Sequence, residues 1–175
     1  RNLKNSKNII YIGALGYSDQ IEEGDMSIHQ FILDADLKIE QKSYLRPTIL
    51  ESKEVPLQVD EIPILSIAAS FANGKSIFKG LKELTVKESN RLELVHQNLK
   101  KMGVKSEIKG FDLHIHGNNE FKKGAAKIVH HNDHRIVMSF YVANLICLKS
   151  NIINDKSSVK TSYPNFFIHM SKNTN

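Results

Sequence analysis

The sequence predicts one α/β (α+β) domain in which strands and helices share layers and two helices lie buried inside. Three observations lead there. Short β-runs are each followed by an amphipathic helix; two further helices are apolar nearly all round; and the order strand, helix, strand, strand, helix recurs along the chain. The recurrence sits at a constant offset of 67 residues, from Asn8–Glu40 to Lys75–Glu107. Gly13 falls on Gly80, His29-Gln30 on His96-Gln97, Lys38 on Lys105 and Glu40 on Glu107. Ile28, Ile32 and Leu37 fall on Val95, Leu99 and Val104.

In the first copy the β-run is Ile9-Ile10-Tyr11-Ile12, and the helix carries Ile28, Phe31, Ile32 and Ala35 at three-to-four spacing. Between the copies, Ile62–Asn73 reads as a helix with Ile64, Leu65, Ile67, Ala68, Ala69, Phe71 and Ala72, apolar on every face and therefore interior. Gly74 ends it. The second copy opens with Ser76-Ile77-Phe78, continues with a helix bearing Leu92, Val95, Leu99 and Met102, and closes with two strands, Val104–Ile108 and Phe111–His116. The last of these alternates apolar and polar residues, the period of a half-buried strand. His134–Leu148 is the second interior helix, stopped by the turn Lys149-Ser150-Asn151, and the polar tail Ser171–Asn175 is expected to fray.

A length of 175 residues suits one domain with a real core, since chains of this size bury roughly 70% of their unfolded surface. Hydrophobic residues at 41% and charged ones at 25% exclude wholesale disorder. The longest apolar run, Ile136–Cys147, is interrupted by Ser139 and Asn144 and falls short of the ~20 residues of a membrane span. The single cysteine, Cys147, excludes an internal disulfide and a cysteine-based zinc site; it reads as a small core residue in a reducing, cytoplasmic setting. The chain starts at Arg1 with no signal-like pattern after it, so it is expected to be a piece of a longer protein. With 24 Lys+Arg against 19 Asp+Glu the charge is +5, which suggests anionic ligands. Nucleic acid is the least favoured of these, because the lysines are dispersed, aromatics are 7% and Trp is absent.

Three segments that could carry chemistry each lead into a helix. In Val59-Asp60-Glu61-Ile62-Pro63, local evidence favours Asp60 or Glu61 as a mere cap, since acids suit the positive helix end and Pro its first turn. In Lys87-Glu88-Ser89-Asn90-Arg91, Ser89 or Asn90 is the natural N-cap. Lys87 and Arg91 oppose the dipole there by ~0.3–1 kcal/mol each, a cost that a bound anion would reverse. In Asn132-Asp133-His134-Arg135, an arginine stands at the mouth of an apolar helix and needs either a static partner such as Asp133 or a cleft. Two arginine-bearing helix starts favour a ligand with two anionic ends. His114 and His116 share a strand face and read as exposed sheet residues. They and His130, His131 and His134, with Asp133, could build a metal site, but the spacing matches no established ligand pattern.

Together these segments resemble a known family. Asp60-Glu61-Ile62-Pro63, Ala68-Ala69 with Ala72-Asn73-Gly74, Lys87-Glu88-Ser89-Asn90-Arg91, Asn132-Asp133-His134-Arg135 and Thr161-Ser162-Tyr163-Pro164-Asn165-Phe166-Phe167 occur in the order and spacing of the C-terminal domain of the 5-enolpyruvylshikimate-3-phosphate synthases. The resemblance runs from about Ile10 to the end and is weakest before Asp60. It implies an inside-out α/β domain of repeated βαβαββ units with buried helices, the whole of 1–175 forming most of the C-terminal domain, with an N-terminal partner domain absent from this chain. It also implies the activity: transfer of the enolpyruvyl group of phosphoenolpyruvate to the 5-hydroxyl of shikimate 3-phosphate, with release of phosphate and no metal or organic cofactor.

By motif, the resemblance makes Asp60 the general base near the 5-hydroxyl and Glu88 the proton donor and acceptor at the phosphoenolpyruvate methylene. Lys87 would touch the shikimate hydroxyls, Arg91 and Arg135 would clamp phosphoenolpyruvate, and His134 would stand at the edge of the site. Two positions depart from the family pattern: Asn90 replaces an aspartate, and Thr161 stands where a phosphoenolpyruvate-contacting lysine is usual, with Lys160 one residue earlier. Competing readings are UDP-N-acetylglucosamine enolpyruvyl transferase, of the same fold, and a non-catalytic anion-binding relic. Without a partner domain, the chain is expected to bind anions weakly and not to turn over.

Overall fold

The computed structural model describes residues 45–118, 126–147 and 150–172. The first copy of the repeat, Asn8–Glu40, and the end of the polar tail lie outside the described residues. Within them, four strands form one sheet: β1 (Ile49–Leu50), β2 (Gly74–Phe78), β3 (Lys105–Lys109) and β4 (Asp112–Gly117), in the order β1-β2-β4-β3. β1 runs parallel to β2, and the other pairings are antiparallel. Parallel neighbours need a crossover. Here it is α1 (Ile62–Phe71), the expected interior helix. Two more long helices follow, α2 (Arg91–Lys101) and α3 (His134–Ile146), then two short ones, α4 (Val159–Ser162) and α5 (Phe166–Lys172).

α1 is the inner element. It packs against β4, α2 and α3, and Ile62, Ile67, Ala69, Phe71 and Ala72 are all buried. Its two buried hydroxyls are satisfied within the helix, Ser66 Oγ donating to Ile62 O at 2.7 Å and Ser70 Oγ to Ile67 O at 2.6 Å. α3 meets α1 with Ile136, Val137, Phe140 and Ala143, all inaccessible to solvent. α2 is amphipathic as expected: Leu92, Val95 and Leu99 point inward, while Gln97, Lys100 and Lys101 are exposed. Among the described residues, no helix is long and apolar enough to cross a membrane.

Boundaries moved where backbone bonds were redirected. α1 stops at Phe71 rather than Asn73, because Ala72 turns extended and the Asn73 N–H donates to Leu45 O at 3.0 Å. α3 stops at Ile146, since Cys147 is already extended. α2 ends in a left-handed Gly103 (φ 82°), whose N–H reaches Lys100 O, while the Val104 N–H reaches back to Leu99 O. That paired closure consumes Val104 and delays β3 to Lys105. His114 is a correction. It does lie on the solvent side of the sheet, yet only 8% of it is exposed, because its strand is flanked on both sides in register by Ile77 and Glu107.

The approach of α1 to the sheet is set by Gly117. A Cβ there would fall on the carbonyl oxygens of Ala69 and Ala72 at the end of α1. Gly117→Ala is therefore expected to cost about 1–3 kcal/mol by overpacking, measured as a lowered urea midpoint. An unchanged midpoint would show that α1 can retreat at no cost.

Candidate active site

Three helix starts meet at one place, and the reason is the side chain of Arg91. It occupies the first position of α2, directly after the N-cap Asn90, whose side chain accepts the Glu93 N–H at 3.1 Å. Leu92 and Leu94 turn their faces to the core, and Arg91 is drawn in with them until it is 1% exposed. A buried guanidinium must be neutralised and hydrogen-bonded. Its Nε donates to Asp133 Oδ2 at 2.9 Å, one terminal nitrogen donates to Asp60 Oδ1 at 2.5 Å, and the other donates to Glu88. Each carboxylate comes from the lead-in to a different helix: Asp60 before α1, Glu88 before α2, Asp133 before α3.

Asp133 is the innermost of the three, with no solvent exposure. One oxygen accepts from Arg91 and from Ser89 Oγ (2.7 Å); the other caps α3 by accepting the Arg135 N–H at 3.0 Å. Arg135 accordingly points elsewhere, its terminal nitrogens lying 3.7 Å from Asp60 and 3.5 Å from Glu61. Lys87 sits 3.7 Å from Asp60 and 3.1 Å from Glu83. Asp60 is thus ringed by Arg91, Arg135 and Lys87. Burial works to raise its pKa, but Arg135, the Arg91 hydrogen bond and Lys87 hold it below the ordinary carboxylate value. For Arg91, burial opposes the charge, and Asp133, Glu88 and Asp60 outweigh it, so its pKa is raised. His134 is half-buried, and burial together with Arg135 lowers its pKa, leaving the imidazole neutral at pH 7.

One expectation is corrected here. Glu61 stands at the N-cap of α1 yet makes no side-chain cap bond, and Asp60 pairs with Arg91 instead, so neither acid is a simple cap. Arg135 does have carboxylate partners, but they are Asp60 and Glu61 rather than Asp133, both of whose oxygens are committed to Arg91, Ser89 and the α3 backbone. Asp60, Lys87, Glu88, Arg91, His134 and Arg135 come together. Lys160 does not join them: it is exposed on α4, and no ion pair links it to the cluster. Glu61 as an Arg135 partner and Ser89 as an Asp133 donor were missed. The only signal for Asp133 was its place before an apolar helix, which accounts for one of its two oxygens. Among the described residues, no group of three or more His, Cys, Asp or Glu side chains could hold a metal ion. Cys147 lies at the far end of α3, and burial pushes its thiol up to about 11.

Comparison with known proteins adds the family. The sequence model of EPSP synthase (3-phosphoshikimate 1-carboxyvinyltransferase) matches residues 20–170. The chain belongs to the EPSP synthase family. A 3-phosphoshikimate 1-carboxyvinyltransferase of Aquifex aeolicus (strain VF5) is 41% identical over 133 residues, covering 76% of this chain and 30% of that protein. One from Ruthia magnifica is 41% identical over 132 residues, covering 75% and 30%. An EPSP synthase structure from Acinetobacter baumannii superposes on 95% of this chain and 44% of its own, with a TM-score of 0.77 at 24% identity, which shows the fold. A second from that organism covers 74% of this chain at 29% identity, with a TM-score of 0.65. The chain therefore spans about 30% of the length of these curated EPSP synthases.

Two outcomes test the geometry. Arg91→Met keeps the bulk but strands Asp133 without its counter-ion, and it is expected to cost about 3–5 kcal/mol in equilibrium unfolding. A loss under 1 kcal/mol would mean that the carboxylates do not depend on the guanidinium. Folding lowers the pKa of Asp60, so its ion pairs contribute fully above the unfolded value and are lost as pH falls through the lower folded value. Asp60→Asn is expected to flatten the acid limb of the stability profile below about pH 4. A limb of unchanged slope would assign the acid sensitivity to other groups.

Proposed function

We propose that this chain is the C-terminal part of an enzyme that moves the enolpyruvyl group of phosphoenolpyruvate onto the 5-hydroxyl of shikimate 3-phosphate, releasing phosphate. The observation that carries the reading is the meeting of Asp60, Glu88, Arg91, Arg135 and Lys87 at three helix starts, in a chain of the EPSP synthase family. In this reading Asp60 takes the proton of the 5-hydroxyl as its oxygen attacks the enolpyruvyl carbon. Glu88 delivers a proton to the methylene carbon during addition and removes one during elimination of phosphate. Arg135 holds one anionic end of the donor and Arg91 the other, through the terminal nitrogen that the exposed Glu88 carboxylate gives up when it turns to the methylene carbon; planar forks suit both groups. Lys87, beside Asp60, contacts the shikimate hydroxyls, and neutral His134 lines the edge. The name carried by the relatives described above favours shikimate 3-phosphate over UDP-N-acetylglucosamine as acceptor.

Charge counting supports a second domain as partner. Among the described residues, the ion pairs of the cluster join four carboxylates, Asp60, Glu83, Glu88 and Asp133, to three cations, Lys87, Arg91 and Arg135. Two multiply charged anions need further positive charge, which an N-terminal domain closing over this face would supply. Phosphate release from both substrates tests the reading. The full-length protein should turn over and this chain alone should not. Arg91→Ala and Arg135→Ala, made separately in the full-length protein, should each lower kcat/KM for phosphoenolpyruvate at least tenfold, ~1.4 kcal/mol. Turnover by the isolated chain would overturn the need for a partner, and two variants with unchanged donor use would overturn the clamp.

A further inference from the structure

Of the fully buried polar side chains outside the cluster, Ser66, Ser76 and Asn98, one belongs to α2. Asn98, in the middle of α2, has no solvent exposure. Its Nδ2 donates to Val129 O at 2.7 Å, and its Oδ1 accepts the Val129 N–H at 3.0 Å. A single amide therefore serves both main-chain groups of one residue, 31 positions away.

The placement of this clip is informative. Arg91 and Asn98 are seven residues apart, two helical turns, so they share one face of α2 and stand about 10 Å apart along its axis. Both grip the same lead-in to α3, Asn98 at Val129 and Arg91 at Asp133. Between those points lie His131 (φ 45°) and Asn132 (φ 61°), two consecutive left-handed residues with no glycine. Such backbone persists only where its surroundings hold it. The turn is closed from within by the Asn132 N–H on His130 Nδ1 (3.2 Å) and the Asp133 N–H on His130 O (2.8 Å). Arg91 secures its downstream end and Asn98 its upstream end.

We infer that Asn98 is a positioning residue for the two arginines. By fixing Val129 against α2 it holds the left-handed turn that carries Asp133 to Arg91 and starts α3 where Arg135 faces Asp60. Asn98 touches no reacting group; it acts through Asp133. The inference rests on the reaction proposed above and deepens it, since the disturbed arginines are those assigned to the donor.

The test uses phosphate release by the full-length protein, both substrates varied, at a temperature where circular dichroism shows each variant folded. Asn98→Ala is expected to raise KM for phosphoenolpyruvate about tenfold and to leave KM for shikimate 3-phosphate within twofold. A purely structural side chain would lower the melting temperature without that split. Combined with Asp133→Asn, it should cost no more donor affinity than Asp133→Asn alone, because both act on one device. A folded Asn98→Ala with wild-type KM for phosphoenolpyruvate, or losses that multiply in the double variant, overturns the inference. If the alanine variant does not fold, Asn98→Asp, which keeps the acceptor for the Val129 N–H and loses the donor, should show the same split, and a wild-type KM there overturns it equally. Absence of turnover by the wild-type full-length protein would instead bring down the reaction, and this inference with it. Wild-type turnover with unaffected Asn98 variants would bring down the positioning role alone.

Discussion

A guanidinium does not give up its proton inside a protein, so burying one obliges the fold to bring carboxylates to it. Arg91 is 1% exposed, and that single fact ties together parts of the chain far apart in sequence. Asp60 lies 31 residues before it and Asp133 lies 42 residues after it. Meeting them fixes where α1 and α3 begin relative to α2. Desolvation offsets much of the Coulombic gain in such an arrangement, so its value lies less in net stability than in setting geometry. The hydrophobic packing of α1 against β4 and α3 supplies the cohesion; the ion pairs decide which ends of the helices coincide.

The same arrangement explains why strong charges sit at helix starts where the dipole disfavours them. Arg91 at the first position of α2 and Arg135 at the second of α3 each incur a small dipole penalty. Asp133 offsets both at once, one oxygen toward the guanidinium of Arg91 and the other toward the backbone beneath Arg135. Its complete burial leaves no room for water to share that work. The pairs that Arg135 and Lys87 make with Asp60 are looser. Arg135 and Lys87 stand 3.7 Å from Asp60, and their side chains are about a quarter exposed, so both cations are reachable from solvent.

Much of the fold was legible because it is written in periodicity. The all-round apolar character of Ile62–Asn73 and His134–Leu148 announced interior helices, found at Ile62–Phe71 and His134–Ile146, and the alternation in Phe111–His116 announced the strand found at Asp112–Gly117. Helix ends were less legible, since Asn73 and Val104 leave regular structure through bonds to Leu45 and Leu99 that no local pattern encodes. The residues of the cluster were legible as types out of place, arginines and acids at helix mouths. Their partners were not. Asp133 looked like a match for Arg135, its near neighbour, and only the three-dimensional meeting of α2 and α3 shows that Arg91 claims it. Asn98 offered no signal at all, because one amide within an amphipathic helix looks like any surface residue until Val129 is brought against it.

The tight seat of α1 on Gly117 bears on how this protein tolerates change. α1 works as a strut: its far end rests on bare backbone, and its near end presents Asp60. Bulk added under the far end is transmitted along a rigid rod rather than absorbed by soft side chains. Alterations near Gly117, at the opposite end of α1 from Asp60, thereby become a means of tilting a carboxylate they never touch.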